Sequence, residues 1–210
     1  MGHRAAVLGQ WQAIEQVITT HPAAGGGEEQ AWALQCARLV TQSLEERLGR
    51  RTRDECMAEN VRWLARRDPA RKIVLWAHNA HIARDPTRMG AYLAHAFGAA
   101  YVPVGFAAGH GEYRAMAANG SGLGVFPLVP PAPDTAEGVL AQAGRSYFAL
   151  DLRPAQAAGD PPAAWFAAPR PFKFIGAGEM PRPFRDTPVA RDYDVLIYLD
   201  ETHATVPLPR

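Results

Sequence analysis

Two histidines and an asparagine stand together at His78, Asn79 and His81, closing the segment KIVLWAHNAHIAR of residues 72 to 84. A neutral imidazole near pH 7 can move a proton or donate to an oxygen on which negative charge develops. Asn79 between them offers an amide that holds a ring in one tautomer or serves as a further donor. These residue types therefore point to acid/base or transition-state work on a carbonyl, with His78 and His81 as the catalytic candidates. Two other readings stay open. The pair could ligate a metal, although no His-Glu-x-x-His pattern and no Asp/Glu-rich or Cys-rich cluster offers further ligands. The imidazoles could instead cap a strand end and hydrogen-bond locally. A second candidate pair is His110 with Glu112 in GHGEY, placed after a strand.

Other chemistries find less support. Ser121 lies in ANGSGLG, where Asn119 occupies the position at which a nucleophile elbow needs glycine. The same glycines lack the Gly-Lys-Ser/Thr of a phosphate-binding loop, so a flexible turn is expected. Cys36 and Cys56 fall on helical packing stripes without a neighbouring histidine and read as small buried hydrophobes. No cofactor is implied.

The elements that must position the candidates follow from periodicity. Ile73, Val74, Leu75 and Trp76 are β-branched or apolar, too few for a helix, and follow the breaker Asp68-Pro69. They predict a strand buried on both faces, with His78 to His81 where that strand leaves its sheet. Further strands are predicted at 100–107, 124–129 (an edge strand, because Pro127 cannot donate to a ladder), 146–152, 172–178 and 193–200. Helical patterns at 88–97 and from Asp134 or Thr135 to Leu140 alternate with them. Residues 5–20, 28–48 and a segment opened by the capping box Thr52-Arg-Asp-Glu55 predict three helices upstream. The expected fold is α/β: a three-layer arrangement with helices on both faces of the sheet and an N-terminal helical segment, residues 1–70, ahead of an α/β core, 71–210. An α/β domain that opens on helices also predicts an incomplete domain, with leading strands upstream of Met1.

The 210 residues suit one domain with a real core. A formal net charge of +1 argues against broad capture of nucleic acid or an anionic membrane. Arg47, Arg50, Arg51 and Arg53 cluster, but glutamates and Asp54 interleave them, which reads as a solvated helix connection. Without a secretory segment, a long apolar run or a Cys-x-x-Cys pair, a cytoplasmic setting is expected.

Four ordered stretches together resemble the erythromycin esterase family. KIVLWAHNAHIA is similar to its signature around Trp-Ala-His-Asn-(Gly/Ala)-His. WALQCARLVTQ (32–42) and RDECMAENVRWL (53–64) resemble two of its helices, and YDVLIYLDETHATVPLP (193–209) its closing strand and tail. GFAAGHGEYRAM also sits where the family has a strand followed by a turn. The resemblance implies a metal-independent hydrolase that cleaves a carboxylic ester or macrolide lactone by histidine-assisted attack of water. Some members thereby confer antibiotic resistance. By motif position, His78 and His81 would be late-sequence members of that site, orienting substrate and stabilising charge, with Asn79, His110 and Glu112 as substrate-binding candidates. The family's water-activating histidine belongs to an earlier Gly-Glu-x-x-His-Gly motif, which residues 1–71 lack; His3 and His21 have other surroundings. The resemblance therefore implies a C-terminal portion of the domain, whose activity alone would need a complementing upstream segment. The alternative is a binding module without hydrolysis. The expected partner is a small ester or lactone, with self-association through an exposed sheet edge a further expectation.

Overall fold

A computed structural model describes residues 2–21 and 27–208. The chain divides into two compact units, the first ending at Lys72 and the second beginning at Ile73. Among the described residues no helix is long and apolar enough to cross a membrane.

The first unit is helical: α1 (Gly2–Thr20), α2 (Gly27–Arg47) and α3 (Arg53–Arg67). The expected capping box opens α3, with the Glu55 N–H donating to the Thr52 hydroxyl and the Glu55 carboxylate accepting from the Thr52 N–H. The buried face of α2 differs from the apolar stripe read in the sequence. Gln35, Thr41 and Gln42 are buried, while Trp32, Cys36 and Leu39 are exposed. The reason lies on α3. Gln35 donates to Asn60 at 2.8 Å, Asn60 to Gln42 at 2.9 Å and Gln42 to Glu59 at 3.0 Å. This chain of amides satisfies most of the polar groups it buries, which is what makes such burial tolerable. Cys56 is buried as expected.

The second unit is a mixed sheet with helices around it. In chain order it comprises α4 (Asn79–Ile82), α5 (Met89–Phe97), β1 (Val104–Met116), β2 (Leu123–Pro127), α6 (Ala136–Ala141), β3 (Tyr147–Asp151), α7 (Arg153–Ala158), α8 (Pro161–Ala167), β4 (Arg170–Lys173), β5 (Phe184–Thr187), α9 (Val189–Asp192) and β6 (Val195–Thr202). The four-stranded sheet has the order β2-β1-β6-β3. β1 runs parallel to β6, with Val104 opposite Val195 and His110 opposite Glu201, whereas β2 and β3 are antiparallel to their neighbours. β2 is an edge strand, in keeping with Pro127. Leu196 and Tyr198 of β6 are fully buried with Phe172 and Tyr193, each contributing roughly 1.5–3 kcal/mol of burial. β4 and β5 form a separate two-stranded ribbon.

Three strand expectations are corrected. Residues 73–76 join no sheet, and Val74 and Trp76 are 92% and 84% exposed. The nearby strand β1 offers them no ladder at Phe106, because the Asn79 side chain takes both backbone groups of that residue. The strand expected at 100–107 begins at Val104, after a 3₁₀ turn at Gly98–Ala100, and runs on to Met116. His110 and Glu112 therefore lie inside β1 and not beyond it. Its glycines do not end the strand because they admit close neighbours: a Cβ on Gly109 would meet the Asp200 carbonyl oxygen at 2.5 Å and the Tyr198 hydroxyl at 2.7 Å. The strand expected at 172–178 pairs only as far as Lys173, and the chain then leaves the ribbon toward the bridge between Gly178 and Met116.

Candidate functional site

His78 is the N-cap of α4. Its Nδ1 accepts from the Ala80 N–H at 3.1 Å, and its Nε2 donates to the Ile175 carbonyl at 2.7 Å. This pair of bonds selects the neutral tautomer with the proton on Nε2. Burial lowers the His78 pKa below the ordinary histidine value, and the neighbouring His81 pushes in the same direction. The histidine thus closes a loop between two backbone segments nearly a hundred residues apart, and both ring nitrogens are engaged in doing so.

Asn79 does the same for β1. Its Oδ1 accepts from the Phe106 N–H at 3.0 Å and its Nδ2 donates to the Phe106 carbonyl at 2.6 Å, reproducing with one amide the pairing a strand would make. Three further ties fix α4. The Tyr193 hydroxyl donates to the Asn79 carbonyl at 3.1 Å, and the Tyr101 hydroxyl to the Ile82 carbonyl at 2.6 Å. Arg84, just beyond the helix, forms a two-pronged pair with Asp194, each arm 2.8 Å long. The result is a four-residue helix, too short to be stable alone, held in one place by side chains from β1's approach and the turn before β6.

His78 and Asn79 border a cleft of about 460 Å³. Trp76, Phe106, Ile175 and Leu199 supply its apolar walls, with Trp76 set edge-on to Phe106 at 5.6 Å between centroids. Lys173 also lines the cleft, and the sequence reading had not singled it out. It lies in an apolar run, and its partner Glu137 is distant in the chain and belongs to a helix.

His81, His110 and Glu112 are not among the residues lining this cleft. His81 lies one turn along α4, its ring centroid 6.4 Å from that of His78. His110 stands 3.7 Å from Asp200, which accepts the Tyr198 hydroxyl proton at 2.9 Å. Glu112 borders a second hollow of about 370 Å³ with Glu201, Thr202 and His203. The structure thus joins His78 with Asn79 at one cleft and leaves the His110–Glu112 pair on a separate stretch of β1. Among the described residues no group of three or more His, Cys, Asp or Glu side chains is arranged to hold a metal ion.

The sequence model of the erythromycin esterase family matches residues 3–202. No curated protein matches the sequence. Two solved structures share the fold. One is a protein from Bacillus cereus, 21% identical, superposing with a TM-score of 0.85 over 96% of this chain and 53% of that one. The other is a succinoglycan biosynthesis protein, 20% identical, with a TM-score of 0.79 over 96% of this chain and 51% of that one. The chain therefore spans about half the length of the solved structures it matches.

Proposed function

The chain belongs to the erythromycin esterase family, and from that footing we propose that its α/β unit carries a carboxylic ester hydrolase site at the cleft beside His78. In the reaction, the oxygen of water adds to the carbonyl carbon of an ester or macrolide lactone. The bond to the alkoxy oxygen then breaks, and a proton from water passes to the leaving alcohol, so that carboxylate, alcohol and one proton result. Water is the only co-reactant required.

The observation that carries this reading is the placement of His78: a neutral imidazole, fixed on both nitrogens, in the lining of a cleft with apolar walls. A group so held orients what binds against it at little cost in entropy. His81, whose ring centroid lies 6.4 Å from that of His78, is outside the cleft lining and is assigned no contact with the substrate. Asn79 keeps the Phe106 wall in register. The apolar walls suit an ester with a bulky hydrocarbon body.

A second reading, binding without turnover, draws on the same geometry. Both His78 nitrogens are committed to backbone, and the matching structures are about twice as long. The two are separated by incubating the protein in ¹⁸O-water with 4-nitrophenyl butyrate and with a macrolide lactone, followed by mass spectrometry. Hydrolysis places one ¹⁸O in the acid product above the uncatalysed background. Thermal stabilisation by either compound with no labelled acid supports the binding module and sinks the hydrolase.

A further inference from the structure

Of the polar groups around the cleft, two are already spent. His78 has given both nitrogens, and Asn79 both ends of its amide, to backbone partners. Thr202 directs its hydroxyl toward the carbonyls of β1, with Glu112 O at 3.2 Å. Lys173 is different. It is 4% exposed, and its ammonium reaches back under β1 to donate to the carbonyls of Ala108 and Gly109, each at 2.8 Å. An ammonium has three N–H groups; those two carbonyls use two of them. The Phe184 ring lies 5.5 Å away on another side.

A buried ammonium is costly unless it is paired. The opposing charge that acts on it is Glu137 on α6, which is fully buried and forms no direct ion pair with the ammonium. Its Oε1 accepts from the Lys173 backbone N–H at 2.7 Å, and its Oε2 meets no donor among the described residues. Burial pulls Lys173 below the usual lysine range while the charge of Glu137 holds it up. Burial likewise pushes Glu137 up to about 6. Lys173 lines the cleft, and with two of its three N–H groups taken by the Ala108 and Gly109 carbonyls it brings a positive charge and one further donor to a site whose other polar side chains bond to the backbone.

We propose that Lys173 is the oxygen-binding residue of this cleft, and that its ligands are carboxylates and esters with an apolar body lying against Trp76 and Phe106. The proposal rests on the reading of the cleft as an ester site and adds a substrate class to it: the ester carbonyl, and then the product carboxylate, takes the third N–H of Lys173. In a low-dielectric cleft that contact discriminates strongly between a charged oxygen and a neutral one.

The test is direct binding of 4-phenylbutyrate and of its neutral counterpart 4-phenylbutanol to the full chain, by calorimetry at pH 7. Wild type should bind the acid at least about tenfold more tightly than the alcohol, since a charge-assisted hydrogen bond contributes roughly that much. Lys173→Met should erase the preference. Because that variant strands Glu137, the pair Lys173→Met with Glu137→Gln is measured beside it, with folding checked by circular dichroism; it should bind acid and alcohol alike. Equal affinity in wild type, no acid binding at all, or a preference that survives in the double variant overturns the proposal. No turnover is needed for this readout. Preference for the acid without hydrolysis retains Lys173 and removes the hydrolase; hydrolysis with an unchanged preference in the double variant does the reverse.

Discussion

The side-chain amide of Asn79 pairs with the backbone of Phe106 as a neighbouring strand would, with Oδ1 taking the N–H at 3.0 Å and Nδ2 giving to the carbonyl at 2.6 Å. One residue thereby fastens α4 to β1 and sets the distance between the His78 corner and the Phe106 wall. Replacing Asn79 by Leu keeps the volume and removes both bonds. The expected loss is about 1–3 kcal/mol of unfolding free energy, read as a lower urea midpoint. Asn79→Asp should recover little of it, because the second oxygen then faces the Phe106 carbonyl. A midpoint equal to wild type in the Leu variant would mean the pairing does not hold the wall.

Asp192, at the end of α9, gives a pH dependence of known sign. Burial raises its pKa from 3.8 to about 6, and the charge of Asp85 adds to this against the opposing Arg84. The folded protein therefore holds this proton more tightly than the unfolded chain does. The stability it contributes is present in full below the unfolded value and is lost as pH rises through the folded one. Asp192→Asn removes that slope. The difference in melting temperature between variant and wild type should grow in the variant's favour from about pH 4 to about pH 7. A difference that stays flat over this window contradicts the assignment. His78, lowered by burial, titrates with the opposite sign, but it is common to both proteins and drops out of the comparison.

Gly111 carries β1 past β6 with φ +106°, and a Cβ there would overlap the carbonyl oxygen of Thr202. Gly111→Ala should destabilise by at least about 2 kcal/mol through backbone strain and that overlap together. Equilibrium unfolding measures it directly. A neutral outcome would show that the two strands can separate there without cost.

The parts of this fold that rest on local chemistry were legible in the sequence. Thr52 with Glu55, and Thr135 ahead of α6, announced helix starts through their own side chains, and Pro127 marked its strand as an edge. His78 and Asn79 were singled out by residue type, and both line the cleft. What escaped depends on partners remote in the chain. Ile73 to Trp76 has the composition of a buried strand, but composition states a preference and supplies no neighbour to pair with. Nothing local marks Gln35 and Gln42 as buried; Asn60 and Glu59, which meet them across the helical unit, do. Lys173 and Glu137 gave no signal, because one interrupts an apolar strand and the other sits in the first turn of a helix. Their significance exists only once β4 is laid against α6.

The most direct test of the central claim is the rate of 4-nitrophenyl butyrate hydrolysis by wild type and by His78→Asn. Asparagine retains an oxygen that can cap α4 but cannot reach the Ile175 carbonyl or present an imidazole to the cleft. With the fold verified by circular dichroism, the loss of that positioning predicts a fall in kcat/KM of about a hundredfold. Turnover unchanged in a folded His78→Asn protein would contradict it, and would place any ester cleavage elsewhere on the molecule.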